Sequence, residues 1–441
     1  MSFRAVVKKI IPGKLFDLVE PFGHWLEAVI AQIRYGFPAQ KLEVIGVTGT
    51  DGKTSTCSLI ANMLRKSGYK VAMMTTISVD YGDGKGEQPN PTRLTTVGAM
   101  ALAKTLKQVK NSGAEWLVLE TTSHALAQNR VWGVPFTMAV MTNVTHEHLD
   151  YHGTIEKYLE AKRKLFIKCN KNIRGLKVGI ANYDDPNGKL FADSTDNPLL
   201  YGINGGDLKA SHIKLTPKGS KYLAEIENEE YQIVCNLPGS FNVSNSLAAV
   251  AVGHALGLTK EQIENGISSL KSVEGRMTRI DEGQDFDVIV DYAHTPVSFK
   301  KIFEEVKPLV KGRLIAVFGS AGRRDELKRP KQGNVAGQYC DVVIITEEDD
   351  RDCDGIAILE EIAAGAQHAG KTRDKDLFLI HKREDAIQKA FETAEQGDMV
   401  LLLGKGHEKS ILTNGPSGIG SQIKRPYDEV SVAHTLLDNL N

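Results

Sequence analysis

A chain of 441 residues is too long for one ordinary hydrophobic core and predicts two or three domains. Its 41% apolar and 25% charged residues are those of a soluble globular protein, and a formal charge of −1 excludes a broad electrostatic case for nucleic acid or an anionic membrane as the main partner. Five cysteines, an odd number without C-x-x-C spacing, argue for a reducing compartment and against a disulfide framework or a Cys-rich zinc site. No run of 18 apolar residues could span a bilayer, and the first residues lack the long apolar stretch and cleavage site of a signal peptide. A cytoplasmic protein is expected.

Residues 1–40 predict a short helical segment in which Trp25, Leu26, Val29, Ile30 and Ile33 share one face. That face is expected to dock on the protein body, with peripheral membrane contact as the alternative. From Leu42 onward, short apolar runs alternate with helical stretches. LEVIGV (42–47), WLVLE (116–120), FTMAVMTNV (136–144) and KVGIAN (177–182) predict a mostly parallel sheet covered on both faces. The polar, alternating stretch from about 205 to 235 predicts antiparallel hairpins at the sheet's edge, and NVSNSLAAVAVGHAL (242–256) predicts a tightly packed small-residue helix. A second α/β series, DVIVDY, LIAVFG, DVVIITE and MVLLLG, begins near 285. The expected organisation is a segment at 1–40, a phosphate-loop central domain at 41–278 and a Rossmann-like α/β domain at 279–441.

The stretch GVTGTDGKTST lies between LEVIGV and a helical run, which is the strand–loop–helix context of a phosphate loop. It departs from the common G-x-x-x-x-G-K-[ST] frame, having Val47 where the first Gly belongs. Gly49 and Gly52 let the backbone N–H groups of Gly49-Thr50-Asp51-Gly52 approach phosphate at a helix N-terminus. Lys53 can reach the terminal phosphates and Thr54 can help hold Mg²⁺. Glu120 ends an apolar strand, at the ligand edge of such a sheet, and could carry Mg²⁺. His146, His148 and His152 suggest zinc at first sight, but there is no H-E-x-x-H; a solvated polar loop or a share in a Mg²⁺ shell are the other readings.

GTDGKT, ETTSHALAQNR, NVTHEHLDYHGTIEKYLEAK, GSFNVSNSLAA, EGRM, VDYAHTP, GSAGRRDELKRP and GKGHE occur in the order seen in Mur ligases. Over about residues 41–441 the chain resembles the MurE type, which uses ATP to add the third amino acid of the peptidoglycan stem peptide. The resemblance implies an acyl-phosphate mechanism, with UDP-muramoyl-dipeptide and a diamino acid as partners, a monomer, and no nucleic acid. It assigns Thr54 and Glu120 to one Mg²⁺ and His148 to a second. It also identifies Lys162 with a lysine carbamylated by CO₂, whereas the residues alone read as an ordinary surface lysine beside Arg163 and Lys164. Asn242 and Asn245 match positions near adenine, Asp291 a ribose or linker contact, and Arg276 a phosphate contact; ATP is expected between the two large domains. Thr95, Thr96, Ser123, Gln128 and Arg130 match the muramoyl-dipeptide site. Arg324, Asp349, Arg351, Gly404 and Glu408 match the pocket for the incoming amino acid.

Two departures from the family pattern stand out. Glu348-Asp349-Asp350-Arg351 replaces the Asp-Asn-Pro-Arg usual in diaminopimelate-adding members; the retained Arg351 favours diaminopimelate, while the added carboxylates favour lysine. The segment ahead of residue 41 is also shorter than the domain that holds UDP in the family, so recognition of the acceptor is expected to rest on its muramoyl-dipeptide part. Within the superfamily, a pseudomurein peptide ligase or a folylpolyglutamate-synthase-like enzyme is the alternative; outside it, a noncatalytic nucleotide-binding subunit.

Overall fold

The computed structural model describes residues 13–90, 96–145, 149–216, 218–415 and 418–440. The chain forms two compact units: Met1–Lys214 with Lys221–Cys235 and Phe241–Leu270, and Leu215–Ser220 with Asn236–Ser240 and Lys271–Asn441.

The first unit is built on β1 (Glu43–Thr48), β2 (Val71–Met74), β3 (Ser78–Asp80), β4 (Gln88–Pro89), β5 (Trp116–Glu120), β6 (Phe136–Met141), β7 (Val178–Asn182), β8 (Asn197–Gly202), β9 (Leu208–Thr216), β10 (Gly219–Ile226) and β11 (Glu229–Cys235). Their order in the sheet is β11-β10-β9-β8-β7-β6-β1-β5-β2-β3-β4. The strands from β2 across to β8 pair in parallel. This centre is covered on both faces, and so Val44, Ile45, Leu117, Val118, Ala139 and Val140 are all buried although they alternate in direction. The consecutive strands β9, β10 and β11 lie side by side at one edge, where the polar alternation predicts hairpins. β1 lies between β5 and β6, so the carboxyl ends of the three open at one place in mid-sheet.

The helix Gly13–Tyr35 corrects the expected docking. Its Ala28 and Ala31 pack with Ala99 and Ala103 of the helix Ala99–Asn111, and Gln32 Nε2 donates to the Trp132 carbonyl at 3.0 Å. The face bearing Trp25, Leu26, Ile30 and Ile33 points to solvent instead. Alanines allow the close helix–helix approach that bulky side chains would prevent, and this outweighs the larger apolar area of the other face.

The second unit has β12 (Thr278–Ile280), β13 (Asp287–Asp291), β14 (Leu314–Phe318), β15 (Val342–Ile345), β16 (Leu377–Leu379) and β17 (Met399–Leu403), ordered β12-β13-β17-β14-β15-β16. All pairs are parallel except β12–β13. Alternate residues feed two cores: Leu314, Ala316 and Phe318 into one, Ile315 and Val317 into the other. A separate antiparallel pair is formed by β18 (Ser410–Gly415) and β19 (Gly418–Pro426). The fold is thus α/β in both units. Among the described residues, no helix is long and apolar enough to cross a membrane.

Candidate active site

The loop after β1 turns on two glycines. At Gly49 (φ +154°) a Cβ would lie 1.8 Å from Thr142 Oγ1, and at Gly52 (φ +77°) 2.3 Å from Asn245 Oδ1. The loop is fastened to the segment after β6: Thr50 N–H donates to the Asn143 carbonyl (2.8 Å), Asp51 N–H to Asn143 Oδ1 (2.9 Å) and Thr142 Oγ1 to the Asp51 carbonyl (2.6 Å). Gly52 then caps the helix Lys53–Lys66 without a side chain, leaving the N-terminal N–H groups uncovered by any cap hydroxyl. Lys53 Nζ folds back onto the Thr50 carbonyl at 2.8 Å.

Behind the loop, Thr54 Oγ1 donates to Glu120 Oε2 at 2.9 Å. Glu120 is 1% exposed and also accepts from Thr76, through N–H at 3.0 Å and Oγ1 at 3.0 Å. The Thr54–Glu120 oxygen separation matches that of adjacent ligands on an octahedral ion with metal–oxygen distances of about 2.1 Å. Both are hard oxygen donors, and the residues present fit Mg²⁺.

The helix Ile155–Asn170 starts at Thr154, whose side chain accepts from Lys157 N–H, and carries Tyr158 and Lys162 on one face, four residues apart. Lys162 is no surface lysine: it is 2% exposed, its Nζ donates to the Gly49 carbonyl at 2.5 Å and lies 4.6 Å from the Tyr158 ring centroid. Tyr158 OH is 3.1 Å from Thr50 Oγ1.

Of the expected acceptor residues, Thr96, Gln128 and Arg130 form one hydrogen-bonded group beside Glu120. Thr96 Oγ1 donates to the Glu120 carbonyl (3.1 Å), and Arg130 Nη1 donates to the Thr96 carbonyl (2.6 Å). Arg130 also grips Gln128 Oε1 through Nε (2.9 Å) and Nη2 (2.5 Å). Ser123 Oγ lies 3.0 Å from His152 Nε2, and Gln128 Nε2 donates to Tyr151 OH at 3.0 Å. His152 is therefore engaged with a serine. His146, His148 and Thr95 lie outside the described residues. Asn242 and Asn245 join through Asn245 Nδ2 to Asn242 Oδ1 at 2.8 Å, and Asn245 Oδ1 faces Gly52.

In the second unit, Asp291 accepts from Met277 N–H and Ala293 N–H, each at 2.8 Å. Burial pushes its carboxyl up, against the pull of Arg276 and these N–H groups. The Arg276 guanidinium stands 5.4 Å from the Tyr292 ring. Gly404 (φ +103°) donates its N–H to the Asp291 carbonyl at 3.1 Å and faces Glu348. Burial also raises the Glu348 carboxyl, and its Oε2 has no hydrogen-bond partner among the described residues. The acidic residues beside it are already engaged: the fully buried Lys405 donates to Asp349 (3.0 Å) and Glu408 (2.6 Å), and Asp350 receives His381 Nε2 at 2.6 Å. The added carboxylates at 349 and 350 are thus each held by a partner within the second unit. Arg351 adopts φ +59°, and its Nε has no hydrogen-bond partner among the described residues, whereas Arg324 is exposed. Lys405, Thr76 and Tyr158 were not singled out by sequence reasoning as site residues. Lys405 could have been found from its place inside GKGHE; nothing in sequence marks Thr76.

The Mur ligase middle domain model matches residues 47–253, and the Mur ligase, glutamate ligase domain model matches residues 275–406. A UDP-N-acetylmuramyl-tripeptide synthetase of Roseiflexus sp. (strain RS-1) is 40% identical over 425 residues, covering 94% of this chain and 82% of the relative. A UDP-N-acetylmuramoyl-L-alanyl-D-glutamate–2,6-diaminopimelate ligase of Geobacillus kaustophilus is 39% identical, covering 86% and 77%. The solved structure of a ligase with that same name superposes with a TM-score of 0.66 at 30% identity, covering 96% of this chain and 83% of the other. With likeness of this extent across both units, the chain belongs to the Mur ligase family, and within it to the MurE type.

Proposed function

We propose that the protein is an ADP-forming amide ligase that adds diaminopimelate to UDP-N-acetylmuramoyl-L-alanyl-D-glutamate in peptidoglycan synthesis. The observation that carries this is the joining of phosphate loop, Thr54–Glu120 pair and the Thr96–Gln128–Arg130 group in one continuous hydrogen-bonded cluster. Such a cluster suits chemistry between a phosphate and a second anion. A noncatalytic nucleotide-binding subunit would have no need of the acceptor group.

In the reaction, the terminal carboxylate of the dipeptide attacks the γ-phosphorus of ATP and ADP leaves. The amine then attacks the acyl phosphate carbonyl, and phosphate departs with its bonding electrons as the C–N bond forms and the amine loses a proton. Lys53 neutralises the approaching anions. Thr54 and Glu120 would hold Mg²⁺, which when bound supplies further neutralisation of phosphate charge; His148 would hold a second. Lys162 acts as its carbamate, formed when its neutral amine adds to CO₂ and a proton is released. Thr95, Thr96, Ser123, Gln128 and Arg130 orient the muramoyl-dipeptide so that carboxylate and phosphate approach in line. Asn242, Asn245, Arg276 and Asp291 contact the nucleotide.

Arg324, Arg351, Asp349, Gly404 and Glu408 take the incoming amino acid, with guanidinium on its distal carboxylate. Diaminopimelate is preferred to lysine because Arg351 is retained for its distal carboxylate, while Asp349 and Asp350 are already engaged by Lys405 and His381. A pseudomurein or folate-type ligase is the weaker reading, since relatives at about 40% identity carry the muramyl-tripeptide name. ADP release tests the proposal: it should require both dipeptide acceptor and diaminopimelate for full rate. ATP turnover indifferent to both would refute it.

A further inference from the structure

The loop after β15 carries four charged residues in a row, Glu348-Asp349-Asp350-Arg351, and the chain engages them unequally. The inner two are held. Asp349 Oδ1 accepts from Lys405 Nζ at 3.0 Å and from Leu412 N–H at 2.8 Å, and Asp350 Oδ2 lies 2.6 Å from His381 Nε2. Glu408, the other acid expected in the pocket for the incoming amino acid, is held by Lys405 at 2.6 Å. The outer two keep open capacity. Glu348 is 7% exposed, yet its Oε2 is buried without a hydrogen-bond partner among the described residues, and so is Arg351 Nε. Lys328, whose charge acts on Glu348, gives its Nζ to the His294 carbonyl at 2.9 Å instead.

Glu348 also stands where a ligand would lie. A Cβ on Gly404, just past β17, would come 3.1 Å from Glu348 Oε2, and one on Gly319, just past β14, would come 2.8 Å from the Glu348 nitrogen. β14 lies between β15 and β17, so Glu348 sits at the carboxyl ends of three adjacent parallel strands, the ligand edge of such a sheet. Burying a carboxylate oxygen without a donor costs its hydration, and a bound cation would supply what the chain does not. Glu348 and Arg351 offer an acceptor and a donor of opposite charge three residues apart on one loop, complementary to the ammonium and carboxylate of a single amino-acid centre. We propose that Glu348 is a specificity-determining residue that receives the distal ammonium of diaminopimelate, while Arg351 takes the distal carboxylate. This rests on the diaminopimelate-ligase reading, and it gives the ammonium to Glu348 rather than to Asp349 or Glu408, which Lys405 already holds.

The test compares diaminopimelate with 2-aminopimelate, which keeps both carboxylates and lacks one ammonium, as substrates and as mutual competitors of the full chain. The wild type should favour diaminopimelate by at least about tenfold, the worth of one charge-assisted hydrogen bond. In Glu348→Gln the KM for diaminopimelate should rise at least about tenfold and the preference over 2-aminopimelate should fall below about threefold, with KM for ATP within about twofold of wild type. Glu348→Asp, which keeps the charge, should recover part of the preference. The melt of Glu348→Gln should stay within about 5 °C of wild type, because a carboxylate oxygen without a chain partner has no hydrogen bond to lose. A larger drop overturns the proposal, as does an equal loss for both compounds, which would make Glu348 a structural residue. A wild type that does not ligate diaminopimelate refutes the ligase reading and this inference with it; a ligating wild type matched by Glu348→Gln overturns this inference alone.

Discussion

Replacing Gly52 by Ala tests the geometry of the phosphate loop through stability and binding at once. Gly52 sits at φ +77°, where an L-residue with a Cβ is disfavoured by about 1–2 kcal/mol. The new Cβ would also stand 2.3 Å from Asn245 Oδ1 and 3.1 Å from Asn245 Cγ, closer than contact allows. Asn245 can escape only by moving, which breaks its bond to Asn242 Oδ1 at 2.8 Å and releases Thr56 Oγ1 at 3.4 Å. Losing one such bond removes about 1 kcal/mol. Gly52→Ala should therefore destabilise the first unit by about 2–4 kcal/mol in urea unfolding. ATP affinity, by calorimetry, should fall by at least tenfold, because loop and Asn245 shift together. The clash is pairwise, so Gly52→Ala/Asn245→Ala should be less destabilised than the sum of its single variants by more than about 0.5 kcal/mol. A Gly52→Ala protein within about 0.5 kcal/mol of wild type, binding ATP normally, would refute the geometry.

Further outcomes follow from other contacts. Lys53→Ala should fold normally yet lose ligation, leaving two anions without their close cation; normal turnover by the folded variant would remove the phosphate-loop assignment. Lys162→Ala should lose activity, and a small added carboxylic acid should restore part of it by replacing the buried anion; rescue by amines but not by acids would contradict the carbamate. Lys405→Met should destabilise the second unit by about 3–5 kcal/mol, since Asp349 and Glu408 would lose their shared buried cation. The hydrogen bond from His381 to Asp350 raises the His381 pKa, so its stabilisation is full below the unfolded value of about 6.5 and fades as pH rises through the higher folded value. The melting difference between wild type and His381→Gln should shrink from pH 5.5 to pH 9, and a difference that grows would reverse the assignment.

The parallel sheets were legible because Val, Ile and Leu runs buried on both faces have no polar alternation to confuse them: WLVLE is strand Trp116–Glu120 to the residue. The loop after β1 was legible for a different reason, as glycines at 49 and 52 and the following Lys-Thr have few other uses together. The first helix was misjudged because a count of apolar residues favours Trp25, Ile30 and Ile33, whereas packing is decided by what approaches closely, here Ala28 and Ala31. Burial of Lys162 is invisible in a run of Lys and Arg. It depends on Tyr158 and the Gly49 carbonyl, which are brought together by β1 and a helix more than a hundred residues later. The pairing of Asp349 with Lys405 is likewise a contact across 56 positions, so the partners of Glu348–Asp350 could not be read from the acidic run itself.

The central claim, ligation of a diamino acid to the muramoyl-dipeptide, is tested most directly by the mass of the product. Purified chain would be given ATP, Mg²⁺, UDP-N-acetylmuramoyl-L-alanyl-D-glutamate and equal diaminopimelate and lysine, and the nucleotide products weighed by mass spectrometry. The account predicts a product heavier by one diaminopimelyl residue, little lysine adduct, and one ADP formed per product. An unchanged dipeptide accompanied by ATP consumption, or a lysine adduct as the main product, would contradict it.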